Sequence, residues 1–103
     1  MEVKPLDAAA AELSEKIKDL AHPARLRIVC ALARGEATVS SLAESTGTPI
    51  PAMSRHLALL RRGGIVTARR AQRTIVYALG DSRIARFVSA LAEIFCAAGP
   101  AAR

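Results

Sequence analysis

The chain has 103 residues, of which 51% are hydrophobic and 3% aromatic, and it carries a formal net charge of +6. This length fits one domain and excludes two independent cores, and the apolar fraction excludes a largely disordered chain. With so few aromatic residues, the core must consist of Leu, Ile, Val and Ala, which favours helices packed on helices.

The N-terminal stretch MEVKPLDAAAAELSEK contains four acidic residues and no apolar run, so it does not match a secretory signal. No stretch of the chain reaches the ~20 apolar residues that a membrane helix needs. We therefore expect a cytoplasmic protein. In that compartment a bridge between its two cysteines would be transient and regulatory rather than a permanent structural disulfide.

Four helices are predicted in the first part of the chain. Apolar residues recur at helical spacing over residues 7–21, and Pro23 then begins a second helix. A short third helix is predicted around Leu42. We expect Thr48 to cap the fourth helix, which the paired glycines at residues 63–64 bring to an end.

The hydrophobic period then changes. Two β-branched runs, IVTARR and TIVYAL, predict a hairpin within residues 65–79, with a basic loop at residues 70–74. Asp81 is expected to cap a last helix over residues 82–97, whose apolar positions advance by three or four residues.

This order of elements is typical of a winged helix-turn-helix, in which two short helices joined by a glycine-containing turn precede a basic hairpin. We therefore predict one such domain over residues 1–103. It is mainly α, with five helices and a two-stranded wing, and its helix-turn-helix lies at residues 39–62.

The positive charge is concentrated in one part of the chain. Residues 49–80 contain six arginines and no Asp, Glu or Lys, whereas the remainder carries nine basic and nine acidic residues. All of the excess charge therefore belongs to the predicted fourth helix and the wing. A basic patch of this kind favours a polyanion such as DNA as the partner.

In a winged helix-turn-helix, the second helix of the pair enters the major groove with its N-terminal residues leading. Arg55 suits a guanine edge, and Arg73 at the hairpin tip suits a minor groove. Two alternatives stay open: Arg61 and Arg62 only solvate a helix end, and His56 packs within the domain. The predicted DNA-binding residues are Thr48, Ile50, Ala52, Ser54, Arg55, His56, Arg61, Arg62, Arg70 and Arg73.

The stretches LAHPARLRI and MSRHLALLRRGGIV are similar to those of the ArsR/SmtB family of bacterial repressors, and the resemblance covers about residues 15–97. It implies a homodimer formed by the first and last helices and bound to an inverted-repeat operator, from which an inducer releases it. The chain has no Cys-x-x-Cys motif, nucleophile–base pair or cofactor loop, so we expect neither an enzyme nor a bound cofactor.

Many members of this family sense metals, and the resemblance allows their ligand positions to be checked. Where metalloid sensors have Cys-Val-Cys, this chain has Thr-Val-Ser at residues 38–40, which offers no soft ligand. Of the zinc and nickel ligands on the last helix, Asp81 is retained, but Arg83, Ile94 and Ala97 occupy the other positions. The resemblance therefore implies no metal site.

Cys30 and Cys96 stand in "VC" and "IFC" contexts that resemble the persulfide-responsive BigR/SqrR subgroup of the family. The resemblance implies that reactive sulfur species bridge the two cysteines as a disulfide or a polysulfide. Two readings compete with this one. The cysteines are small apolar core residues, as Cys30 on its helical stripe suggests, or the chain is a metal-ion or general oxidant sensor on the same scaffold.

Overall fold

A computed structural model describes residues 4–97 of the chain and, within them, the side chains of residues 7–95. Over this range five helices and three strands form the winged helix-turn-helix fold, as the sequence predicts. In chain order the elements are α1 (Lys4–Leu20), α2 (Pro23–Ala33), β1 (Ala37–Thr38), α3 (Val39–Thr46), α4 (Ile50–Arg62), β2 (Val66–Ala71), β3 (Thr74–Leu79), α5 (Ser82–Ala92) and a closing π-helical segment (Glu93–Ala97).

Side-chain caps define where two of the early helices begin. The Nδ1 atom of His22 accepts a hydrogen bond of 3.0 Å from the Ala24 amide at the start of α2. The Thr38 hydroxyl likewise accepts from the Ser41 amide, at 3.1 Å, and begins α3. Each cap satisfies one of the amides that a helix start leaves without a partner.

The predicted cap of α4 is wrong. Pro49 occupies the N-cap position of that helix, and no side chain caps it. The Thr48 side chain is instead buried and shares a 3.0 Å hydrogen bond with the Thr46 hydroxyl. A proline suits this position because its ring fixes φ and the missing amide leaves nothing to satisfy there.

The wing belongs to a three-stranded antiparallel sheet with the order β1-β3-β2, one strand more than predicted. In the hairpin Arg70 pairs with Ile75, and Ala71 with Thr74, so the turn consists of Gln72 and Arg73 alone. The predicted loop over residues 70–74 is therefore too long, because Arg70 still belongs to the strand. Gln72 adopts a φ of 60°, as a tight turn requires.

The core lies between α2, α3, α4, the sheet and α5. Among the described side chains, α1 contributes Leu20 to the core, and α1, α5 and the closing segment leave large apolar groups exposed. The buried apolar residues are Leu20, Ala24, Ile28, Val29, Leu32, Leu42, Met53, Leu57, Leu60, Ile65, Val66, Ile84 and Val88, and the exposed ones are Leu13, Ile17, Leu26, Ile50, Phe87, Ile94 and Phe95. Among the described helices, none is long and apolar enough to cross a membrane.

Candidate DNA-binding surface and cysteine cleft

Helix α4 has one face in the core and one face in solvent. Met53, Leu57 and Leu60 are fully buried and fix the rotation of the helix about its axis. Ser54 and Arg55 consequently lie on the exposed face. Of the other two predicted groove residues at its N-terminal end, Ile50 is exposed and Ala52 is half-buried. The exposed face of α4 thus carries a hydroxyl and a guanidinium that can meet a groove.

The arginines of residues 49–80 differ in their partners. Arg69 forms an ion pair with Glu36, with 2.7 Å between Nη2 and Oε2. Within the part of the chain that the structure describes, the other five form no ion pair with a carboxylate, and all five are exposed. These five, which we call the open arginines, are Arg55, Arg61, Arg62, Arg70 and Arg73.

His56 packs within the domain, which is the alternative to its predicted DNA contact. Its ring lies 4.7 Å from the ring of His22, tilted by 55°, so a residue of α4 contacts the cap of α2. Burial lowers the pKa of His56, and the nearby charges of His22, Arg25 and Arg55 lower it further. The side chain is half-buried and serves the junction between α2 and α4.

Thr48 is another predicted DNA contact with a role inside the fold, because its residue is only 8% exposed. Its hydroxyl is engaged with Thr46, which does not favour the DNA contact predicted for it. The sequence also missed a contact at the other end of α4. Lys16 of α1 donates a 3.1 Å hydrogen bond to the Gly63 carbonyl and so satisfies an acceptor where the helix ends.

Cys30 lies half-buried on α2 and lines a cleft of about 840 Å³ between α2, α3 and α5. Most of the wall is apolar. The apolar lining consists of Leu26, Ala31, Ala37, Leu42, Val88, Leu91 and Phe95, and the polar lining of Arg27, Arg34, Glu36, Ser41, Ser45 and Thr46. A cleft of this size and composition is typical of small-molecule sites.

Two arginines lie beside Cys30 in the cleft lining. Arg27 and Arg34 both line it, whereas the Arg25 Nε donates a 2.6 Å hydrogen bond to the Asp19 carbonyl and is not among the lining residues. Positive charge beside a cysteine favours the thiolate, which is the nucleophilic form.

The backbone of Cys96 belongs to the closing π-helical segment Glu93–Ala97. Its side chain falls outside the described residues, so the pairing with Cys30 stays a prediction. Its neighbour Phe95 lines the same cleft as Cys30.

The Asp81 carboxylate, the one retained position of the zinc and nickel sensors, is engaged in ion pairing and capping. It accepts from the Arg83 amide at the start of α5 and pairs with the Arg83 guanidinium at 2.8 Å, which lowers the pKa of Asp81 to about 2. Arg83 also pairs with Glu12 of α1 at 2.8 Å and lowers the pKa of that carboxyl. In the described part of the chain, no three His, Cys, Asp or Glu residues are grouped so that they could hold a metal ion.

A recognition helix with one exposed polar face, followed by a basic wing, defines a winged helix-turn-helix protein. Residues 22–68 match the model of the arsR family of bacterial regulatory proteins. The chain is also 41% identical over 92 residues to the biofilm growth-associated repressor of Agrobacterium fabrum, covering 89% of this chain and 79% of that one. The chain therefore belongs to the ArsR family and is a transcriptional regulator.

Solved structures agree with this assignment. The transcriptional repressor BigR from Xylella fastidiosa has a TM-score of 0.85 and 38% identity, over 93% of this chain and 98% of that one. The winged helix-turn-helix DNA-binding domain of Mb0332 from Mycobacterium bovis, described as homodimeric, has a TM-score of 0.76 and 29% identity, over 90% of this chain and 86% of that one.

Proposed function

We propose that the chain is a cytoplasmic, homodimeric repressor of transcription that binds an inverted-repeat operator. It is released when reactive sulfur species bridge Cys30 and Cys96. The observation that carries this proposal is the cleft between α2, α3 and α5: Cys30 lies in its wall, and so does Phe95, the residue next to Cys96.

The open arginines support DNA binding. In the proposed complex α4 enters the major groove, where Arg55 reads a base edge and Ser54 contacts a phosphate. Arg61 and Arg62 contribute charge at the end of α4, and the wing contributes Arg70 and Arg73. Ile50 and Ala52 meet the groove through their apolar surface. Because these guanidinium groups form no ion pair with a carboxylate in the described residues, they can bind phosphate without first breaking one.

The exposed apolar residues of α1 and of the C-terminal end support the dimer. Leu13 and Ile17 on α1, Phe87 on α5 and Ile94 in the closing π-helical segment are 38–62% exposed and would be buried by a second copy. The homodimeric description of Mb0332 agrees with such an arrangement. A two-fold dimer must hold its recognition helices about 34 Å apart to read both half-sites.

The sulfur chemistry balances with a persulfide R–S–SH as the oxidant. The Cys30 thiolate attacks the outer sulfur, R–S⁻ leaves, and Cys30 becomes Cys–S–SH. The Cys96 thiolate then displaces HS⁻ and forms the disulfide. Alternatively both cysteines become persulfides and join as a tetrasulfide. Joining the two persulfides releases two electrons and two protons, which another R–S–SH accepts as it becomes RSH and H₂S. A longer bridge spans a gap wider than the roughly 7 Å between Cα atoms that a disulfide tolerates.

The packing of α2 explains how a bridge would reach the DNA. Helix α2 packs against both α5 and α3, the first helix of the helix-turn-helix, and the His22–His56 contact joins the start of α2 to α4. A covalent bond from α2 to the closing π-helical segment would therefore shift the helix-turn-helix relative to the dimer interface. Small shifts of this kind misplace two recognition helices that must fit successive grooves.

The test measures operator affinity and the bridged product in the same sample. The operator is first selected from genomic fragments, and binding is followed by fluorescence anisotropy before and after persulfide treatment. We expect affinity to fall in the native chain, to recover with a thiol reductant, and to be unaffected in Cys30→Ser and Cys96→Ser. Unchanged affinity despite a bridged product refutes the proposal. An equal response to peroxide would favour the general oxidant sensor, and an equal response to a metal ion would favour the metal sensor.

A further inference from the structure

The cleft beside Cys30 has an electrostatic asymmetry. Arg27 precedes Cys30 by three residues on α2, and Arg34, the C-cap residue of that helix, follows Cys30 by four. This spacing places all three on one side of the helix. Both arginines are exposed and line the cleft. In the residues that the structure describes, neither forms an ion pair with a carboxylate.

Glu36 is the acidic residue in the cleft lining, and its charge is already engaged. Its carboxylate lies 2.7 Å from the Arg69 guanidinium of the wing. The ion pair turns the acid toward β2 and compensates its charge there. The cleft therefore keeps two positive groups without a compensating acid, one on either side of Cys30.

The size of the cleft fits an organic molecule better than a diatomic sulfur species. Its volume of about 840 Å³ lies within the range of about 300–1,000 Å³ that is usual for sites of drug-sized ligands. Leu26, Leu91 and Phe95 provide apolar wall for a carbon skeleton. A bare hydrogen disulfide would use neither this wall nor a pair of guanidinium groups.

We propose, resting on the function proposed above, that the cleft binds low-molecular-weight organic persulfides that carry a carboxylate. Arg27 and Arg34 bind the carboxylate, and the apolar wall holds the carbon chain, so that the outer sulfur reaches Cys30. The Cys30 thiolate attacks that sulfur and the S–S bond of the donor breaks. The donor leaves as a thiolate that takes a proton from solvent, and the outer sulfur stays on Cys30 as Cys–S–SH.

The experiment measures the rate of persulfide formation on Cys30 in the full chain carrying Cys96→Ser, where the reaction stops after the first step. Three donors of similar length are compared by intact mass: the persulfides of 3-mercaptopropionic acid, 2-mercaptoethanol and cysteamine, whose end groups are anionic, neutral and cationic. Each rate is normalised to the rate of the same donor with a free thiol. The variants are Arg27→Gln/Arg34→Gln and, as a control for lost charge elsewhere, Arg86→Gln, which removes an exposed arginine of α5 that is not among the cleft-lining residues.

We expect the anionic donor to react about tenfold or more faster than the cationic one at low salt, a preference that rising salt weakens. The preference should persist in Arg86→Gln and disappear in Arg27→Gln/Arg34→Gln. Equal normalised rates in the native cleft, or a preference that survives the double substitution, overturn the inference. Operator release is followed in parallel on the chain with both cysteines. Release on bridging without donor preference overturns only the inference, and donor preference without release overturns only the proposed function.

Discussion

Two adjacent arginines of the wing provide a sharp test of the proposed DNA-binding surface. Arg69 and Arg70 are both exposed residues of β2, and successive strand residues point to opposite faces of the sheet. Arg69 pairs with Glu36, whereas Arg70 is one of the open arginines. Replacing either with Gln removes the same charge from neighbouring positions. We expect Arg70→Gln to weaken operator binding strongly and Arg69→Gln to weaken it little.

The magnitude follows from counterion release. Each phosphate contact contributes about 0.9 to the slope of log K against log salt concentration, so two copies of Arg70 in a dimer contribute about 1.8. If the two proteins bind alike at 1 M salt, that slope difference corresponds to about 60-fold weaker binding of Arg70→Gln at 0.1 M salt. For Arg69→Gln we expect a slope change below about half of this, because the Glu36 carboxylate already offsets the Arg69 charge.

Anisotropy titrations of one operator duplex at four or more salt concentrations give both slopes. Glu36→Gln is the matched third variant: it releases Arg69 from its partner and should steepen the slope of the native chain. Equal losses from Arg69→Gln and Arg70→Gln, or no change of slope in Arg70→Gln, would refute the assignment of Arg70 to the DNA-facing surface.

Three further predictions concern stability. Leu57→Ala should lower the free energy of unfolding by about 2–5 kcal/mol in urea titrations, because Leu57 is fully buried under α4; a loss below 1 kcal/mol would contradict the core described for that helix. Lys16→Met should cost about 1–2 kcal/mol through the lost bond to the Gly63 carbonyl, and an unchanged denaturation midpoint would count against that contact. Asp81 has a pKa of about 2, below its usual 3.8, so its ionised form stabilises the fold above about pH 4. That contribution should disappear as the pH falls through 2, and melting curves of Asp81→Asn, which keeps a capping side chain, should lose part of this acid dependence; identical profiles would contradict it.

The helices could be predicted from the sequence because their signals are local. Pro23 and the glycines at residues 63–64 mark helix ends, and apolar spacing marks buried faces. The strand Ala37–Thr38 could not, because two residues carry no period and the strand exists only through its pairing with Tyr77 and Val76. The predicted Thr48 cap of α4 is wrong for a related reason. Packing within the fold buries the Thr48 hydroxyl, which a local rule would place at the helix start.

The basic part of the candidate site was visible in the sequence as a run of arginines without acids. The sequence did not show which of these arginines has an acidic partner, because Glu36 lies 33 residues from Arg69 and only the sheet brings the two together. The cleft was likewise hidden. Cys30, Arg27 and Arg34 share a helical face that the sequence shows, but its depth depends on how α3 and α5 pack against α2.

In the proposed function, bridging of Cys30 and Cys96 separates the repressor from its operator. The most direct measurement treats the protein with less persulfide than full conversion needs, applies it to immobilised operator DNA, and separates retained from released chains. Mass spectrometry of each fraction then quantifies the Cys30–Cys96 cross-linked peptides and counts the sulfur atoms between them. We expect the bridged peptides in the released fraction and reduced cysteines in the retained one. Bridged chains retained on the operator as fully as reduced ones would contradict it.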